Sequence, residues 1–328
     1  PSTLKDIGRS AFVSTAVEYL EIPQNVKLLD GHSNHTLSGM SSLKTLVLND
    51  GLEKIGMTEF TSLPALETIN IPKTVTEMGD SLFVGLTKLK SVAFEDGLST
   101  IGDNLFQGSG LEQVTIPNSI KNIPSSLFIG AQNLNLIVLP EEVDCIGGPG
   151  AFDCGRNSDE LKIIMPTTIK EWRVGASLCS SKLKEIVIPG DSDLSAGFVA
   201  TGCGLEKIVI TGEPNSIAYG AFGNLHDADI YYYGPKESVE KFNADAGDKD
   251  VFFLDDNNNR LHYMTGNPPT REDQMNGIDY DSLIEVTTQS ISSNDTVAIE
   301  DFTPAEDNLS IVIEEADLPK SVSDGDAA

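Results

Sequence analysis

A repeat of about 23 residues runs through most of this chain and limits its possible folds more than any other feature. A hydrophobic residue followed by glycine or proline returns at steps of 23, 23, 22 and 23 residues. A phenylalanine column keeps nearly the same period. The first column comprises Ile55, Met78, Ile101, Ile123 and Ile146, and the second comprises Phe60, Phe83, Phe106, Phe128 and Phe152. One such unit cannot bury its own apolar face, so the period predicts a solenoid in which successive units bury each other.

Each unit also contains a short segment in which apolar residues alternate with other residues, as in a strand that is half buried on one face. Proline or Asp-Gly follows this segment in most copies, which ends strand pairing or supplies a turn. We therefore predict ten parallel strands in one sheet. They lie near residues 17–22, 43–48, 66–71, 89–94, 111–116, 134–139, 161–165, 183–188, 205–210 and 228–232.

Charge is unevenly distributed along the chain. The 328 residues hold 22 Lys and Arg against 50 Asp and Glu, a net charge of −28, which makes nucleic acid and anionic lipid poor partners. Residues 255–328 alone hold 17 acidic and 3 basic residues. We predict three regions: repeats over 1–233, a capping helix and strand over 234–254, and an acidic C-terminal extension or small β module over 255–328. No run approaches the ~20 apolar residues that span a bilayer, so no membrane span is expected within this chain.

The end of the repeats has the pattern of a helix. Pro235 is suited to a first helical position, Val239, Phe242 and Ala246 follow at helical spacing, and Gly247 is suited to the stop. A helix here would cover the last apolar face of the array, which a solenoid needs at its end.

The repeat unit resembles the BspA-like class of leucine-rich repeats. The match is carried by the segment IPKTVTEMGDSLFVGLTKLKSVAFEDGLSTIGDNLF and by the pairs Ile7-Gly8, Ala11-Phe12, Ala151-Phe152 and Ala221-Phe222, and it covers residues 5–254. The resemblance implies a leucine-rich-repeat right-handed superhelix with a parallel sheet. It also implies a surface-exposed or secreted protein, as members of the class typically are, and several members are regarded as adhesins.

Three cysteines follow the repeat period: Cys154, Cys179 and Cys203, with Cys145 standing apart. A metal or thiol site is one interpretation. The other, which we favour, places them in equivalent small buried positions of successive repeats, since the resembled family often has cysteine there. No Cys-x-x-Cys pair is present, and no disulfide can be assigned from the sequence.

Other chemical motifs are sparse. Asp30, His32 and His35 form D-x-H-x-x-H, which suits zinc, but the simpler interpretation is a polar insertion between repeats. No Gly-x-Ser-x-Gly elbow, phosphate loop or dinucleotide-binding glycine pattern occurs. We therefore predict no catalytic residues, no metal site and no cofactor.

One column of strand residues is predicted to point outward from the sheet, and its second half is apolar. It includes Val138, Ile164, Val187, Val209 and Tyr231, with Leu136 in the neighbouring column. Single β-branched residues on a strand surface are ordinary. A continuous row of them predicts a contact surface, whose occupant is the acidic extension, a second copy or a partner protein.

These features together predict a non-enzymatic, protein-binding solenoid, adhesin-like and located at a cell surface or outside the cell. The expected partner is a protein, such as a host extracellular or surface protein. The alternative is a carbohydrate-binding or cell-wall-associated module, which exposed aromatic residues at repeat spacing would favour. Such residues are largely missing from the sequence.

Overall fold

The computed structural model describes residues 3–275 except 9, 30–35, 38, 62, 155–160, 174–177, 179, 196, 200–201 and 255–256. In chain order the elements are β1 (Tyr19–Ile22), β2 (Leu28–Leu29), β3 (Thr45–Leu48), β4 (Lys54–Ile55), β5 (Thr68–Ile71), β6 (Glu77–Met78), β7 (Ser91–Phe94), β8 (Gln113–Thr115), β9 (Asn122–Ile123), β10 (Leu136–Val138), β11 (Glu142–Ile146), β12 (Lys162–Ile164), β13 (Thr168–Trp172), β14 (Glu185–Ile188), β15 (Asp193–Leu194), β16 (Lys207–Ile210), β17 (Ser216–Ile217), β18 (Asp229–Tyr232), α1 (Lys236–Asp245), β19 (Arg260–Tyr263) and α2 (Arg271–Met275).

The ten predicted strands are confirmed as a row of parallel strands, which we call the first row. It consists of β1, β3, β5, β7, β8, β10, β12, β14, β16 and β18, and β19 extends it by one strand. Equivalent residues of successive units lie side by side, such as Ile69 beside Val92 and Val114 beside Ile137, and all four are buried. The hydrogen-bonded ladder is interrupted after β3, β7 and β12, so the row is not one unbroken sheet. Strands this short share few ladder bonds, so a small local rotation interrupts the ladder.

A second row of shorter parallel strands lies outside the sequence-based prediction. It consists of β2, β4 and β6, then β9, β11 and β13, then β15 and β17. It forms at the hydrophobic-glycine column, where Ile55 pairs with Met78 and Ile146 with Trp172. Most of these strands have two residues, which is too short for a period of two to be visible in the sequence.

The core between the rows is a stack of aromatic rings surrounded by aliphatic columns. Ring centroids of Phe60 and Phe83 lie 5.4 Å apart, those of Phe83 and Phe106 5.4 Å, and those of Phe106 and Phe128 5.7 Å. A leucine column that keeps the repeat period is fully buried: Leu43, Leu66, Leu89, Leu111 and Leu134. Trp172 continues the stack, with its ring centroid 4.6 Å from that of Phe198, and is a core residue.

The array ends with the predicted capping helix. In α1, Val239 and Phe242 are buried against the core, and Gly247 has a positive φ of 76° beyond the helix. Residues 251–254, where a final strand is expected from the sequence, instead form turns that bury Val251 and Phe252. The last strand is β19, which pairs with β18 through Ile230 beside Leu261.

Candidate binding face

The candidate site is the outward side of the first row, which we call the strand face. Because alternate side chains of a strand point to opposite sides, each strand contributes about two side chains to this face. One column contains the predicted contact residues. The other contains Lys162, Glu185, Lys207, Asp229 and Arg260, so charges of opposite sign alternate along it.

The predicted contact residues are not exposed to solvent. Leu136, Val138, Ile164, Val187 and Val209 are each 8% exposed or less, and Tyr231 is half-buried. We call the five buried residues the covered face. The expectation that they line an exposed surface is therefore wrong. One of the expected occupants is present, because a segment of the acidic extension lies against Leu136, Val138 and Ile164.

That segment is α2 and the residues before it, and we call residues 264–275 the strap. Met275 packs against the buried cluster of Leu136, Val138 and Ile164. The side-chain oxygen Oε1 of Gln274 accepts a hydrogen bond of 3.0 Å from the backbone N–H of Met165. This donor lies where the ladder between β12 and β14 is broken, so Gln274 supplies a partner that the neighbouring strand does not.

Arg271 fastens the strap at the carboxyl ends of β10 and β12. Its guanidinium donates to the backbone oxygens of Met165 (2.5 Å) and Pro140 (3.5 Å), and also to that of Leu139. Three carbonyl oxygens that converge on one place suit a planar, permanently charged donor group.

The sequence contains a signal for the strap that the sequence-based predictions do not include. Thr270 and Asp273 form a capping box: the Asp273 carboxylate accepts from the N–H and the hydroxyl of Thr270 at 2.8 Å, and the Asp273 N–H donates to the hydroxyl at 3.1 Å. Arg271 is also one of only three basic residues in the extension, and Arg260 is another. Both contact the array.

The other half of the strand face, on β3, β5, β7 and β8, is not covered in this way, and we call it the open face. Its outward residues are Thr45, Val47, Thr68, Asn70, Ser91, Ala93, Gln113 and Thr115. All are uncharged, all except Ala93 are partly or fully exposed, and Thr45, Thr68 and Thr115 are the most accessible. On a chain with a net charge of −28, an uncharged strip of four strands is distinctive.

At the far end of the strand face, Asp229 holds β18 and β19 together. Its carboxylate accepts two bonds of 2.8 Å from Arg260 and lies 2.7 Å from Nε2 of His262. The hydrogen bonds from Arg260, followed by that from His262, hold the pKa of Asp229 well below its ordinary 3.8. The ring of His262 stacks on Tyr231 at 4.9 Å, and Lys207 Nζ lies 5.4 Å from the Tyr231 ring centroid.

Acidification is expected to loosen β19 from β18. Because the pKa of Asp229 is depressed in the fold, its stabilising effect is complete above about pH 4 and is lost as the pH falls toward the lower value. The Met264 amide, which donates to Tyr232, should then lose protection from hydrogen exchange severalfold relative to the Tyr233 amide, which donates to Ile210. In the Asp229→Asn variant, the Met264 amide should exchange faster than in the wild type already at neutral pH. Its protection relative to the Tyr233 amide should not fall further when the pH is lowered. An identical pH response in both proteins would contradict the assignment.

The described cysteines, Cys145, Cys154 and Cys203, differ in their burial. Cys154 is fully buried, which confirms its structural placement, whereas Cys203 is only half-buried against the core. Burial raises the pKa of the Cys145 and Cys203 thiols, so neither is an activated nucleophile. Among the described residues, no three His, Cys, Asp or Glu side chains are grouped to hold a metal ion. Cys179, Asp30, His32 and His35 lie outside the described residues.

The two helices differ from membrane-spanning segments. Within the residues that the structure describes, neither α1 nor α2 has the length and apolar character needed to cross a bilayer.

Sequence comparison identifies the repeat. The model of the BspA type leucine-rich repeat region matches this chain in six copies, over residues 5–135, 53–172 and 99–228. These ranges span two thirds of the chain. No curated protein matches it.

Several solved leucine-rich repeat structures are similar to this chain, and the first of those that follow supports the fold. A leucine-rich repeat protein from Bacteroides ovatus ATCC 8483 has a TM-score of 0.55 and 18% identity, over 81% of this chain and 70% of that one. The leucine-rich repeat protein of T. pallidum has a TM-score of 0.41 and 22% identity, over 47% of this chain and 76% of that one. A leucine-rich cell surface protein from Faecalibacterium prausnitzii A2-165 has a TM-score of 0.31 and 21% identity, over 72% of this chain and 85% of that one.

Proposed function

Because this chain belongs to the BspA-type leucine-rich repeat family, we propose that it is a non-enzymatic protein-binding solenoid that acts at a cell surface or outside the cell. Its partner is a protein, and an adhesin-like role toward a host extracellular or surface protein follows from the surface location. The repeats are the binding scaffold, and no catalytic step is assigned to any residue.

The open face is the observation that supports protein binding. The cores of protein interfaces are depleted of charged residues, and the open face is an uncharged strip on a strongly acidic chain. Successive strands place Thr45, Thr68, Ser91 and Gln113 in one row, and Thr68 lies directly beside Ser91 in the ladder of β5 and β7. The backbone beneath this row is held by the stacked core and by that ladder. A rigid display of this kind reduces the ordering that accompanies binding.

The surface of the open face fits a protein better than a sugar. Carbohydrate sites stack sugar rings on aromatic side chains, and no aromatic side chain points outward from β3, β5, β7 or β8. The exposed Tyr19 of β1, beside Thr45, is a single ring at the edge of this surface. The hydroxyl and amide groups of Thr68, Asn70 and Gln113 offer donors and acceptors to a partner backbone.

Substitution at the centre of the open face is expected to weaken partner binding. The purified protein is applied to an array of extracellular proteins and, in parallel, to a glycan array, and the proteins retained are then measured by titration. Thr68→Arg with Ser91→Arg should weaken binding of the captured protein by about tenfold or more, because two charges then lie within the contact area.

The matched control is Thr100→Arg, an exposed threonine that lies beside Glu77 at the second row of strands. It adds the same kind of charge on another side and should leave the affinity unchanged. If both variants bind the partner with equal affinity, the open face is not the binding surface. Capture of glycans with no protein would replace the proposal with the carbohydrate-binding alternative.

A further inference from the structure

The covered face has the properties of a binding site that is already filled. Its five apolar side chains lie on neighbouring strands of the first row, and Met275 packs against three of them, Leu136, Val138 and Ile164. The segment that covers these three comes more than 100 residues later in the sequence, since Arg271 and Leu139 are 132 positions apart.

We propose that the covered face is a docking site for a peptide segment that carries arginine and, four residues later, methionine, and that the strap occupies this site as an intramolecular ligand. A partner segment of the same chemistry binds by displacing the strap. This inference deepens the proposed protein-binding function. The existence of a partner rests on that proposed function, whereas the docking site rests on the contacts of the strap.

The site recognises its ligand at two points that a helical turn connects. The first is the group of carbonyl oxygens of Leu139, Pro140 and Met165, which receive the guanidinium of Arg271. The second is the apolar cluster of Leu136, Val138 and Ile164, which receives Met275. Residues four apart on a helix lie on the same side, so one turn presents both groups together.

The strap is attached at its ends and not along its length. Met264 donates to Tyr232 at 2.8 Å at one end, and Arg271, Gln274 and Met275 hold the other. From residue 265 through residue 270, the structure shows no hydrogen bond from the strap to the described part of the array. None of the residues of α2 is fully buried. A five-residue helix is unstable by itself, so the strap depends on its contacts with the array and can open without unfolding the array.

The backbone amide of Met165 reports directly on the strap. Its hydrogen-bond partner is the side chain of Gln274, so an open strap leaves this amide without that partner. In the full chain carrying Arg271→Ala and Met275→Asp, the Met165 amide should exchange at least about tenfold faster than in the wild type. The Glu95 amide, which donates to Ile71 in another part of the row, should exchange unchanged.

Peptide binding tests the site itself. The probe is a labelled synthetic peptide with the sequence of residues 264–275, followed by fluorescence anisotropy. The strap variant should bind the peptide about 100-fold more tightly than the wild type, whose own strap competes at a high effective concentration. A peptide with alanine for the arginine and aspartate for the methionine should not bind. Glu272→Ala is the matched control in the protein: this residue is exposed, so its strap should stay closed.

The outcomes separate the two proposals. If the Met165 amide exchanges at the same rate in the variant, the strap does not cover this site as proposed. If the Met165 amide exchanges fast but the peptide does not bind, the covered face is not a docking site. If the double variant does not fold, Gln274→Ala removes the bond to Met165 alone and should still accelerate that amide. If the peptide does not bind, partner binding at the open face can still be tested. If the open-face variant does not weaken partner binding, peptide binding to the covered face can still be measured.

Discussion

Replacing Phe106 by alanine is expected to lower the free energy of unfolding by about 3–5 kcal/mol. Phe106 is fully buried, and its ring lies nearly parallel to those of Phe83 and Phe128, at 5° and 4°. Alanine leaves a cavity in the centre of the stack and removes both ring contacts. In a solenoid each unit is stabilised mainly by its two neighbours, so the loss separates the array into two weakly coupled parts.

Denaturant unfolding followed by fluorescence and circular dichroism measures this effect. The variant should show a lower midpoint and a broader transition than the wild type, because the two parts no longer unfold together. Phe94→Ala is the matched control: Phe94 is half-buried and touches the stack only at an edge, 6.5 Å from Phe106. Equal losses for Phe94 and Phe106 would mean that the aromatic stack is not the main support of the array.

Gly97→Ala is expected to destabilise the protein by about 3 kcal/mol or more. Gly97 has a φ of +148°, and a β-carbon built there would lie 1.9 Å from the carbonyl oxygen of Lys73. Two costs therefore combine: a backbone conformation that side chains rarely adopt, and a clash with the backbone of the preceding coil. Neither can relax without moving one unit away from the next.

Gly85→Ala separates these two costs. Gly85 also has a positive φ, +72°, but a β-carbon there would meet nothing within 4 Å. The Gly85→Ala variant should lose about 1–2 kcal/mol of unfolding free energy, which is the cost of the left-handed conformation alone. The difference between the two unfolding free energies measures the close approach of adjacent coils. If Gly85→Ala were as costly as Gly97→Ala, close stacking would not be the reason for the Asp96-Gly97 turn.

Local pattern is sufficient to predict most of the fold. The strands, the aromatic stack and α1 follow from columns that repeat, because each unit buries its apolar residues against a neighbour with the same pattern. Trp172 belongs to the core because it substitutes for a hydrophobic residue of one column. The second row of strands escapes prediction because two residues carry no visible periodicity.

The candidate site is predicted less completely. The alternation of β10, β12, β14 and β16 correctly brings Val138, Val187 and Val209 to one side of the row, but it does not show that they are buried. A period of two places a side chain on a face and says nothing of what lies over that face. The sequence pattern does not single out the open face either, because threonine, serine and glutamine are ordinary residues on strands. They become notable only when this uncharged surface is compared with the negative charge of the rest of the chain.

The solenoid is encoded in the sequence alone, since repeated neighbours make the fold a local property that each 23-residue unit carries in full. Which parts of the strand face are open depends instead on tertiary contacts. The covering contacts join Arg271 to Leu139 and Met165 across 132 and 106 positions, and the residues that make them occupy a single turn of helix. A contact between distant segments depends on where the folded array places its ends, and a turn of five residues is too short to carry that information in its own pattern.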